Sequence, residues 1–104
     1  MIFQFNSDNQ ISGHEELAAS VEEQVNDRLG RFSPRLTRVE VHVGDENGPR
    51  SGGNDIRCSI EARPENARPV AVVGNGPTVE AATRNALGKM VSLLDSNFGK
   101  QRAY

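Results

Sequence analysis

The stretch Arg38–Arg63, RVEVHVGDENGPRSGGNDIRCSIEAR, decides the fold. From Arg38 to Val43, apolar Val39, Val41 and Val43 alternate with Arg38, Glu40 and His42. From Asp55 to Arg63 the pattern repeats, with Ile56, Cys58, Ile60 and Ala62 set against Arg57, Ser59, Glu61 and Arg63. Side chains on a strand alternate between its two faces, so each run reads as a strand with one buried face. The segment between them, Gly44–Asn54, carries the outline of two ligand loops. A helix–loop–helix calcium loop starting at Asp45 would need an oxygen ligand at position 5, Gly at 6 and Glu at 12. Those positions hold Pro49, Arg50 and Ile56. A phosphate-cradling loop needs four residues between its glycines, then Lys and a hydroxyl residue before a helix. Here three residues separate Gly44 from Gly48, Pro-Arg-Ser follows, and a strand comes next. The segment therefore reads as a flexible hairpin loop joining two strands, open to contacts as loops often are.

Working outward, Ile2–Asn6 reads as a short strand with Phe3 and Phe5 on one face. Ser12 and Glu15 fit a capping box at the start of a helix. Leu17, Val21, Val25, Leu29 and Phe32 then form one apolar stripe. Glu15 and Glu16 at the beginning, and Arg28 and Arg31 at the end, complement the helix dipole. Pro34 stops the helix at about Phe32 or Ser33. Downstream, Pro64–Pro69 is a loop and Val70–Val73 a fourth strand, broken by Gly74-Asn75-Gly76-Pro77. Thr78 caps a second helix. Its apolar residues are Val79, Ala82, Ala86, Leu87, Met90, Val91, Leu94 and Phe98, and Gly99–Tyr104 forms a frayed tail. The order is β-α-β-β-β-α. One apolar face per element predicts an α+β two-layer sandwich, with both helices on one face of a four-stranded sheet. The other face is left with Arg38, Glu40, His42, Arg57, Glu61 and Arg63.

Length and composition bound the function. The 104 residues fit one domain, 1–104. With aromatics at 5% and no Trp, the core must be built from Val, Leu, Ile and Ala. The lone Cys58 excludes an intrachain disulfide and makes a cytoplasmic location the default. MIFQFNSDNQ has neither the basic nor the apolar region of a signal peptide. No apolar run approaches the ~20 residues of a membrane span, so no membrane partner is expected. A net charge of −2 excludes a surface built wholly for polyanions. Ten of the twelve basic residues are nevertheless Arg, the side chain suited to bidentate contacts with phosphate or carboxylate.

Catalytic chemistry finds no support in the residues. Cys58 points inward with Ile56 and Ile60, whereas His42 points to the opposite face, so no nucleophile–base pair forms. His14 belongs to the capping turn and is solvated. Two histidines and one cysteine on separate elements make no zinc set, and no cofactor is expected.

The order of elements, the segment LGRFSPRLTRVEVHV (Leu29–Val43) and the final helix TVEAATRNALGKMVSLLDS (Thr78–Ser96) resemble the ribosome hibernation promoting factor / ribosome-associated inhibitor A family, also called sigma-54 modulation protein. RVEVH, DENG, DIRC and IEAR are most similar to its short, single-domain branch. The resemblance covers nearly the whole chain. It implies the β-α-β-β-β-α fold, binding to the small ribosomal subunit in the mRNA and tRNA channel, and silencing of idle ribosomes. It also implies phosphate contacts from helical basic residues. The matching positions here are Arg28, Arg31, Arg84 and Lys89, with Arg35 just beyond the first helix. Against these stand local alternatives: dipole complementation for Arg28 and Arg31, and an i,i+4 pair with Glu80 for Arg84. Lys89 has no acid three or four positions away.

The first helix also carries Glu15, Glu16, Glu22, Glu23 and Asp27, which oppose phosphate. A second reading follows: a protein-interaction module or homodimer acting through the open sheet face, without rRNA binding. For that face itself, the plain expectation is cross-strand pairing of opposite charges.

Overall fold

The computed structural model describes residues 1–8, 13–45 and 56–102. Strand β1 is Ile2–Ser7, helix α1 is His14–Leu29, and a 3-10 turn covers Gly30–Arg35. Strands β2 (Leu36–Asp45), β3 (Ile56–Pro64) and β4 (Val70–Gly76) follow, and helix α2 (Val79–Arg102) closes the described chain. The sheet order is β1-β2-β3-β4. β1 runs parallel to β2, and β2–β3 and β3–β4 are antiparallel. Parallel neighbours need a long crossover, and α1 supplies it.

The alternation in β2 and β3 comes out as expected. Val39, Val41, Val43, Cys58, Ile60 and Ala62 are all 0% exposed. They join Val21, Val25 and Leu29 of α1 and Leu87, Met90 and Leu94 of α2 in one core. Phe3 and Phe5 of β1 are half-buried against it. The result is the expected α+β sandwich, helices on one face and a bare sheet on the other.

Several boundaries differ from the sequence expectation, each for a local reason. α1 ends at Leu29 rather than near Phe32, and the chain tightens into the 3-10 turn that contains Pro34. Proline has no N–H and its ring clashes with the carbonyl four residues back, which is Gly30, so the α ladder fails there. The N-cap of α1 is Gly13, at φ 73°, without a side-chain cap bond. A left-handed residue occupies the place where the capping box was expected, and Ser12 itself lies outside the described residues.

β4 continues through Gly74 and Asn75 to Gly76. Gly74 is required for packing rather than for a turn. A Cβ there would meet the Ala86 backbone nitrogen at 2.4 Å and the Ala82 carbonyl oxygen at 2.8 Å. The missing side chain lets the backbone of α2 lie directly on the strand. Thr78 caps α2 as expected, its Oγ1 accepting from the Ala81 N–H at 3.1 Å. α2 then runs through Gly99 to Arg102, where the sequence suggested a frayed tail. Gly44 and Asp45, expected to open the Gly44–Asn54 loop, instead end β2, and the remainder of the calcium-loop and phosphate-loop outlines up to residue 55 lies outside the described residues.

Candidate interaction surfaces

Four of the five helical and turn cations fall in two recesses flanking α2, Arg31 with Arg35 and Arg84 with Lys89. At the junction of the 3-10 turn with the C-terminal half of α2, two arginines lie on two aromatic rings. The Arg31 guanidinium carbon is 4.2 Å from the centroid of Phe32, and that of Arg35 is 4.0 Å from the centroid of Phe98. The rings themselves are 5.7 Å apart and each residue is 5% exposed. Arg31 also donates to Asp95 Oδ2 at 2.9 Å. That bond raises its pKa further above the ordinary arginine value. Cation–π attraction draws each guanidinium toward its ring, and the forked N–H donors of arginine suit phosphate or carboxylate. The recess they line measures about 200 Å³.

The second recess is a shallow, open depression of about 700 Å³ on the side of α2 that faces β4. Arg84, Asn85, Lys89 and Ser92 line it, over an apolar floor of Val72 and Leu93. Lys89, without an acid within a helical turn, turns out to be engaged. Its ammonium donates to the Val73 carbonyl oxygen at 2.7 Å, and Asn85 donates to that of Asn75 at 2.7 Å. β4 is an edge strand, and these two side chains cover carbonyls that an added strand would otherwise use. Arg28 lies exposed on the last turn of α1 and lines neither recess. Beside it the helix pair is acidic: Glu23, Asp27 and Glu80 line a recess of about 430 Å³ with Ser20 and Gln24.

The open sheet face overturns one expectation. The register sets Arg38 opposite Arg63 and Glu40 opposite Glu61, so like charges, not opposite ones, face each other across the strands. The ion pairs run along each strand instead. Arg38 binds Glu40 at 2.7 Å and Arg63 binds Glu61 at 3.2 Å. Arg38 also donates to Gln4 of β1. Farther along the face His42 lies opposite Ser59 and meets Asp8 Oδ1 at 3.1 Å. Arg57 is exposed opposite Gly44. Sequence reasoning identified the members of this face but missed its register. It also missed Gln4, Asp8, Asp95 and Phe98 as partners, because each comes from a distant segment.

Cys58 is buried in the core, as expected. Burial pushes its thiol up from 9.0 to about 11. His14 is exposed, bonded through Nδ1 to Ser7 Oγ at 2.8 Å. Among the described residues no cluster of His, Cys, Asp and Glu could hold a metal ion. Among them, too, no helix is long and apolar enough to cross a membrane.

Neither a protein-family model nor a curated protein matches the sequence. Solved structures do match in shape. The Thermus thermophilus Protein Y N-terminal domain superimposes with a TM-score of 0.72 at 16% identity, covering 91% of this chain and 96% of that one. A ribosomal subunit interface protein from Coxiella burnetii superimposes with a TM-score of 0.70 at 9% identity, covering 95% of this chain and 99% of that one. Across nearly its whole length, the chain has the fold of these two proteins.

Proposed function

We propose that the protein is a ribosome-associated factor that binds the small subunit and represses translation in resting or stressed cells. It acts by occupying the mRNA and tRNA channel, with no catalytic step. The observation that carries the reading is the fold likeness, nearly end to end, to a ribosomal subunit interface protein. The placement of cations gives it a surface. Arg31 and Arg35 on their rings, and Arg84 and Lys89 along the α2 depression, would neutralise rRNA phosphates. The acids of α1 move that surface away from the middle of α1, toward the 3-10 turn and α2.

Binding of this kind releases counterions and weakens steeply with salt. If all five helical and turn cations, Arg28, Arg31, Arg35, Arg84 and Lys89, meet phosphates, the logarithmic salt dependence has a slope of about −4. The test is co-sedimentation of the purified protein with small subunits over a salt series. The expected result is pelleting at low salt, release as salt rises, and weakening by Arg31→Glu with Lys89→Glu. A protein that stays in the supernatant at low salt would leave the fold without this activity.

A further inference from the structure

The open sheet face lies opposite the helices, and the proposed ribosome contacts do not use it. Two charged rows cross β2 and β3 there: Arg38 beside Arg63 and, one step along, Glu40 beside Glu61. Like charges directly opposite on neighbouring strands are destabilising. The single chain gains nothing from this order, because exchanging the two residues Glu61 and Arg63 would set opposite charges against each other in both rows.

We propose that this face is an interface between two copies of this chain. A two-fold axis lying in the interface and crossing the strands at the level of Val39 and Ala62 reverses the order of the rows. It lays Arg38 over Glu40 of the second copy and Arg63 over Glu61 of the second copy, and symmetry supplies the reciprocal pairs. Each guanidinium then bridges the carboxylate of its own strand and that of the second copy, which joins the two along-strand pairs into a network. The rows lie next to the axis, where the ~30° angle between stacked sheets displaces them least. Ile2, 64% exposed at the β1 end of the arginine row, gains cover over Gln4 of the second copy.

The size of the face sets the strength. Four strands ~4.8 Å apart and about seven residues of ~3.3 Å rise give a face of about 19 by 23 Å. Two such faces bury roughly 900 Å², below the ~1,200 Å² of a standard specific interface. The dimer is therefore weak and charge-dependent, and it dissociates in salt. Another protein or a nucleic acid on the same face would not need the rows to be complementary to themselves.

Sedimentation equilibrium on the full chain tests this, over about 10 μM to 1 mM, the range where weak complexes form. At low salt the average mass should rise toward that of a dimer, and it should return to the monomer at high salt. Two variants sharpen the result: Arg38→Glu with Arg63→Glu, and Glu40→Arg with Glu61→Arg. Each alone should weaken self-association more than about tenfold, since each now sets like charges together. Their equimolar mixture should restore it. A wild-type protein that remains monomeric throughout the range overturns the proposal without reference to any variant. So does a variant that dimerises as strongly as the wild type, or a mixture of folded variants that fails to associate.

Discussion

The two faces of the sheet are built from alternate residues of the same strands, yet different forces shape them. On the covered face Val39, Val41, Val43, Cys58, Ile60 and Ala62 are fully buried, and what matters is volume and the absence of polar atoms. On the open face His42, Arg57 and Arg63 are exposed and Arg38, Glu40 and Glu61 half-buried, and what matters is which charge lies beside which. The first face sums to the stability of the domain. The second contributes little to it, since exposed ion pairs give roughly 0–1 kcal/mol each. A sheet can thus carry its fold on one side and leave the other side to be shaped by partners.

Substitutions can break or sharpen this contrast. The largest effect is expected at the centre of the covered face, where Ile60→Ala leaves a cavity costing about 4 kcal/mol in denaturant unfolding. A loss under 1 kcal/mol would mean that the core closes over the gap and is not tightly packed. Next comes Gly74→Ala, whose new methyl group meets the backbone of α2 rather than a movable side chain. It should cost about 3 kcal/mol. An unchanged melting temperature would show that α2 does not rest on β4 there.

A smaller effect appears with pH. The folded pKa of Cys58 is raised, so its contribution is complete below the unfolded pKa of 9.0 and is lost as pH rises toward about 11. Across that window the unfolded chain ionises first, and stability should fall by about 2 kcal/mol. The difference in slope between wild type and Cys58→Ala isolates this contribution, and identical slopes would remove it. The smallest effect is expected on the open face. Glu61→Gln gives up the pair with Arg63 but relieves repulsion with Glu40, so monomer stability should move by less than about 0.5 kcal/mol. A change above about 1.5 kcal/mol would place the open face among the determinants of the fold.

Much of the fold was legible in particular residues because local physics writes it there. The alternation from Arg38 to Val43 and from Ile56 to Arg63 needs only period two and a difference in polarity to announce two half-buried strands. Thr78 announces its helix because a hydroxyl before an apolar stripe has a backbone N–H to satisfy. Pro34 announces an end, but the end came a turn early, because the ring excludes the carbonyl behind it as well as its own hydrogen bond. The candidate surfaces were legible only as a list of side chains. Lys89 is neutral to every helical neighbour, yet it is held by Val73 from a strand sixteen residues earlier.

By itself, then, the sequence determined the elements, their order, their buried sides and the two-layer architecture. These follow from hydrophobic periodicity and from turn and cap chemistry acting over a few residues. Only the tertiary structure decided that Arg38 meets Arg63 and Glu40 meets Glu61, that Arg31 and Arg35 lie over Phe32 and Phe98, and that Asp95 holds Arg31. A strand displaced by two residues keeps the same inward face, so the hydrophobic pattern is indifferent to which outward charges end up opposite each other. The register is set by the packing of the whole sheet against its helices.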